Sequence, residues 1–66
     1  MTARPTGVPL TEDNVVDAVE CRAANGDTWR YRGGAAWECG ASIVDMMTLV
    51  FFAEKWGTVV TKWRKP

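Results

Sequence analysis

The sequence predicts a small α+β domain: a three-stranded antiparallel meander, one apolar helix packed across it, then a short final strand, in the order βββαβ. Three observations carry this. Alternating apolar and polar runs flank Asn25-Gly26 and continue past Gly33-Gly34. The run from Ile43 to Trp56 is free of Pro and Gly and is followed by Gly57. Thr58 to Trp63 is β-branched and alternating.

The first two strands come from Val19-Glu20-Cys21-Arg22-Ala23 and Thr28-Trp29-Arg30-Tyr31-Arg32. Two alternating runs around Asn-Gly signal a hairpin. A helix over residues 12–24, with Thr11 as N-cap and a Leu10–Val15 staple, is the competing reading. The hairpin register follows from side-chain logic. A two-residue turn sets Cys21 opposite Arg30, mixing apolar and cationic residues on one face. A three-residue loop, Ala24-Asn25-Gly26, sets Cys21 opposite Trp29, Val19 opposite Tyr31 and Glu20 opposite Arg30. A slip of one residue would turn every side chain to the wrong face, so the three-residue loop is preferred. A third strand, Ala36 to Cys39, then pairs Tyr31 with Trp37, Arg30 with Glu38 and Trp29 with Cys39.

Ser42, with Asp45 three residues on, has the spacing of a helix-capping pair. The helix is therefore expected over Ile43 to Trp56, with Gly57 as its stop. The final strand follows, and a right-handed crossover would make it parallel to its neighbour. Residues 1–10, with Pro5, Gly7 and Pro9, are expected to form a flexible tail, residues 11–64 one domain, and residues 65–66 a frayed end. Whether residues 10–17 are helix, strand or coil stays open, as does the sheet edge that takes the last strand.

The succession Gly26-x-x-Trp29, Gly33-Gly34, Trp37, a helix ending in Trp56-Gly57, and a Val-rich strand resembles small orphan proteins of actinobacterial phages. The resemblance covers roughly residues 18–61. It implies a phage or mobile-element origin and, because the group is largely of unknown function, no particular activity. Where those proteins often carry Pro after the Gly, this chain has Thr58.

Composition excludes several function classes. The 66 residues include 8 Lys+Arg, 8 Asp+Glu, 2 Cys and no His. Without His, no side chain has an ordinary pKa near neutrality to serve as general base. No nucleophile elbow or phosphate loop is present. Cys21 and Cys39 read as small core residues with free thiols, set about 10 Å apart across two strand spacings, too far for a disulfide. No catalytic residue, metal site, cofactor or small-molecule substrate is expected. With no secretory leader and no apolar run long enough to span a bilayer, a cytoplasmic location in a host cell is expected.

Two binding surfaces are candidates. On a helical wheel Asp45, Thr48 and Lys55 form a narrow polar stripe containing Phe52 and bordered by Leu49 and Trp56. A helix apolar on nearly every side must be covered on more than one. Asp45, Thr48, Leu49, Phe52 and Trp56 are therefore candidate contacts for a protein partner or a second copy. The bland alternative is that Val8, Leu10 and Val15 fold back over them. Met46 and Met47 read as core fillers. The alternative function is nucleic-acid binding through Arg30, Arg32, Lys62 and Arg64 on the other sheet face. A net charge of zero disfavours it, although residues 29–66 alone carry a net charge of +3.

Overall fold

The computed structural model describes residues 4–65. It is an α+β fold in two layers: a five-stranded antiparallel sheet with one helix across one face. The strands are β1 (Ala18–Arg22), β2 (Thr28–Gly33), β3 (Ala36–Cys39), β4 (Ser42–Asp45) and β5 (Val59–Trp63). The helix is α1 (Met46–Trp56), and a single 3-10 turn, Val15–Asp17, precedes β1. The sheet order is β4-β3-β2-β1-β5.

The expected β1–β2–β3 register is observed at four pairs. Cys21 pairs with Trp29, Glu20 with Arg30, Arg30 with Glu38 and Tyr31 with Trp37. The first loop closes as Ala23 N–H donates to the Asp27 carbonyl at 2.8 Å. That leaves Ala24-Asn25-Gly26 as the three-residue loop, with Gly26 at a φ of 96°. Asn25 Oδ1 accepts the Asp27 N–H at 2.9 Å, which stiffens the loop. The competing helix over residues 12–24 does not form.

The chain departs from expectation at Ser42. Residues Ser42–Asp45 form a fourth strand rather than the first turn of the helix. Gly40, at a φ of 59°, reverses the chain so that Ser42 pairs directly with Cys39, and Val44 lies beside Trp37. Ile43 and Val44 are β-branched and suit a pleated strand better than a helix N-terminus. The helix cap is consequently Asp45, not Ser42. Its backbone is extended, and Oδ1 accepts the Thr48 N–H at 2.7 Å. The far end stops as expected at Gly57, left-handed at a φ of 63°, whose N–H bonds the Ala53 and Glu54 carbonyls.

The final strand is antiparallel to β1, not parallel to its neighbour. Helix α1 starts from the β4 edge and ends by the β1–β2 loop, where Ala24 N–H donates to the Trp56 carbonyl at 2.9 Å. After Gly57 the chain is therefore delivered alongside β1 in the reverse direction. Of the expected tail, residues 1–3 lie outside the described residues, and residues 4–10 run along the outer edge of β5. Gly7 N–H donates to the Val60 carbonyl at 2.7 Å, Val60 N–H to Val8 at 2.8 Å, and Leu10 N–H to Thr58 at 3.0 Å. This covers backbone groups that an edge strand would otherwise present to solvent. Beyond it, Trp63 Nε1 donates to the Pro5 carbonyl at 2.9 Å, and the Arg4 guanidinium lies 3.7 Å from the centre of the Trp63 ring.

The core lies between α1 and the sheet. Cys21, Trp29, Trp37 and Val60 contribute from the strands, and Leu49 and Ala53 from the helix. Ala18 at the start of β1, and Leu10 and Val15 before it, complete the core.

Candidate functional site

The helix is read best from its buried side. Leu49 and Ala53 are fully buried. At about 100° per residue, the direction opposite these two is occupied by Phe51. Phe51 is 78% exposed and Met47, one turn earlier, is 61% exposed. Glu54 and Lys55 continue this exposed face. Met46, Thr48, Val50, Phe52 and Trp56 lie half-buried along its flanks.

The centre of the apolar face is therefore Phe51 with Met47, one position away from the expected centre at Phe52. The displacement has a clear cause. The wheel was oriented by Asp45, which precedes the helix and turns back to cap it. Leu49 leaves the candidate surface altogether, because it is core. Met47 is exposed, not a core filler, whereas Met46 packs against the core. Phe51 is the residue sequence reasoning missed. Placing the helix start at Met46 and taking Glu54 with Lys55 as the polar marker would have found it.

Phe52 and Trp56 join the surface to the interior through stacked rings. Trp56 stacks on Trp29 with centroids 6.0 Å apart and planes within 7°. Phe52 stacks on Trp56 at 5.0 Å and 11°. Phe51 meets Phe52 edge to face at 5.0 Å. A continuous aromatic column thus runs from a core tryptophan to an exposed phenylalanine. Each such pair adds about 0.5–1.5 kcal/mol beyond area burial, so the exposed ring stands on a stiff base.

The N-terminal segment does fold back, but beside this face and not over it. An open groove of about 510 Å³ is lined by Pro9 and Leu10 from this segment and by Val50, Ala53 and Glu54 from α1. Among the described residues nothing covers Phe51 and Met47.

The opposite sheet face holds the basic candidates, and most are paired. Glu20 meets Arg30 at 3.6 Å and Lys62 at 3.4 Å, and Arg32 meets Glu38 at 3.6 Å. Thr61 Oγ1 donates to Glu20 Oε1 at 3.1 Å. Burial acts to raise the Glu20 pKa, but the Thr61 hydroxyl, Lys62 and Arg30 outweigh it and hold the carboxyl below its ordinary value. Arg64 does not join this face. Its guanidinium lies 5.5 Å from the centre of the Tyr31 ring, on the helix side. The four cations therefore do not form one phosphate-facing surface.

Cys21 offers little nucleophilic chemistry. Both thiols are free. Burial, reinforced by the nearby Glu20 charge, pushes the Cys21 thiol up to about 12. It is a thiol, not a thiolate, at neutral pH. Among the described residues no group of three or more His, Cys, Asp or Glu is placed to hold a metal ion, and no helix is long and apolar enough to cross a membrane. No family model, no curated protein and no solved structure matches the chain.

Proposed function

We propose that this chain is a small non-enzymatic interaction protein, phage-encoded and acting inside the host cell, that binds a protein partner or itself through the outer face of α1. The observation that carries the reading is Phe51. A large aromatic ring, 78% exposed, stands directly opposite the buried side of its helix with Met47 beside it. Exposed apolar surface on a small domain marks interaction sites, and rigid aromatic anchors dominate their energetics. The aromatic column through Phe52 and Trp56 holds the anchor in place before any partner arrives, which lowers the ordering cost of binding. Phage origin follows from the sequence resemblance alone.

The test is a photo-crosslinking amino acid at position 51, compared with the same probe at the exposed Arg22, in cells producing the chain. Covalent adducts are expected from position 51 and not from position 22. Equal labelling from both positions, or none from 51, would remove the helix face as the binding surface.

A further inference from the structure

We propose that the β5 edge, with Asp17 and Trp63 at its end, is a seat for an extended peptide headed by arginine. Residues 4–8 of the chain are its ligand in cis, a latch that opens while the rest of the domain stays folded. The seat stands apart from the α1 face and does not rest on Phe51.

The seat belongs to the body of the domain. Trp63 pairs with Ala18 across β1 and β5 and packs half-buried against the core. The Asp17 carbonyl accepts the Arg64 N–H at 2.7 Å. Contacts within the body therefore hold both residues, with or without an occupant on the edge.

The occupant shows what the seat selects. The Arg4 guanidinium lies 3.7 Å from the centre of the Trp63 ring and 3.1 Å from the Asp17 carboxylate. An aromatic face beside a carboxylate suits a cation, and a planar guanidinium can engage both. Trp63 Nε1 donates to the carbonyl of the next residue, Pro5. Proline there has no N–H to leave unpaired. Gly7, left-handed at a φ of 81°, turns the segment onto the edge. Its N–H donates to the Val60 carbonyl, and the Val8 carbonyl accepts the Val60 N–H. Val8 packs half-buried against the core. The pattern is thus Arg, Gly three residues on, then an apolar residue.

The same contacts make the latch separable. Its root is fixed, because Leu10 is buried and Asn14 Nδ2 donates to the Pro9 carbonyl at 2.9 Å. Beyond that root, no side chain from Arg4 to Val8 is fully buried. The Arg4 and Asp17 side chains are 50% and 56% exposed, and exposed ion pairs and cation–π contacts are each weak. A segment held in this way opens at lower cost than global unfolding. Its tether gives it an effective concentration on the order of 1 mM, so a peptide in trans competes once the latch is weakened.

Native-state amide exchange on the full chain tests the latch. The Gly7 and Val60 amides should exchange together, about tenfold or more faster than that of Thr58, whose N–H donates to Ala53 within the body. Arg4→Ala should speed both about five- to tenfold, with an unchanged circular dichroism spectrum because the side chain is exposed. Asp17→Asn should speed them less, and the double variant no more than Arg4→Ala. The seat is tested on Arg4→Ala with an acetylated, amidated peptide copying residues 4–8, at up to about 1 mM. It should shift the Trp63 indole and Val60 amide resonances saturably. The same peptide with Ala in place of its Arg should need about tenfold more. Exchange of Gly7 and Val60 no faster than Thr58 would overturn the proposal. So would resonances that neither peptide moves, or that both move equally.

Discussion

Phe51 and Phe52 are neighbours in sequence with opposite roles. Phe52 is half-buried and stacked on Trp56, which itself stacks on the core residue Trp29. Phe51 touches Phe52 and is otherwise open. Phe52→Ala should therefore lower unfolding stability by about 1–3 kcal/mol in denaturant titration, and Phe51→Ala by no more than about 0.5 kcal/mol. Equal losses would mean that the column does not reach the core. Glu20 carries a second expectation. Its pKa is lowered on folding by the Thr61 hydroxyl and by Lys62 and Arg30, against the opposing effect of burial. A carboxyl with a lowered folded pKa stabilises above its unfolded value and loses that contribution as pH falls through the folded one. Wild-type stability should fall as pH drops below 4.5, the ordinary value from which Glu20 is lowered, and Glu20→Gln should flatten that part of the profile. An unchanged profile in Glu20→Gln would show that other carboxylates set the acid limit.

At the scale of elements, the meander was legible because its register is fixed twice over. The apolar set Cys21, Trp29, Tyr31 and Trp37 and the charged set Glu20, Arg30 and Glu38 both demand the same pairing. The helix was legible as an element but not in phase. Ser42 and Asp45 are both good capping residues, and choosing between them requires knowing that Gly40 turns the chain back onto β3. Asp45, outside the helix as its cap, no longer marks the polar stripe, and the exposed centre moves from Phe52 to Phe51. The two candidate caps separate by substitution. Asp45→Ala should reduce helical ellipticity and raise amide exchange at Thr48, whose N–H it leaves without its acceptor. Ser42→Ala should do neither. The reverse pattern would restore Ser42 as the cap.

At the scale of the molecule, the N-terminal segment and the placement of β5 were the least legible features. Residues 4–10 show no period. They pair with β5 mainly through backbone groups, to which a sequence gives no clue. Leu10, buried in the core, and Val8, packed against it, carry the apolar side-chain signals. Removing residues 1–9 would uncover Val59 and Val60 on the β5 edge and release Trp63 from Pro5 and Arg4. We expect a loss of about 2–4 kcal/mol, from hydrogen bonds worth about 1 kcal/mol each plus uncovered apolar surface, together with aggregation through the bare edge. Unchanged thermal unfolding after truncation would show that the segment contributes nothing to the fold.

Among the described residues, one sheet face is lined by ion pairs, the β5 edge is closed by the N-terminal segment, and the helix face is left open at Phe51. The most direct measurement of that central claim is made on Phe51→Asp with two readouts on one sample: denaturant unfolding, and association by sedimentation and by crosslinking from a probe at Met47, which shares the face with Phe51. An open helix face predicts stability within about 0.5 kcal/mol of wild type and loss of both association and the adducts. Intact association, or unfolding of the variant, would contradict it.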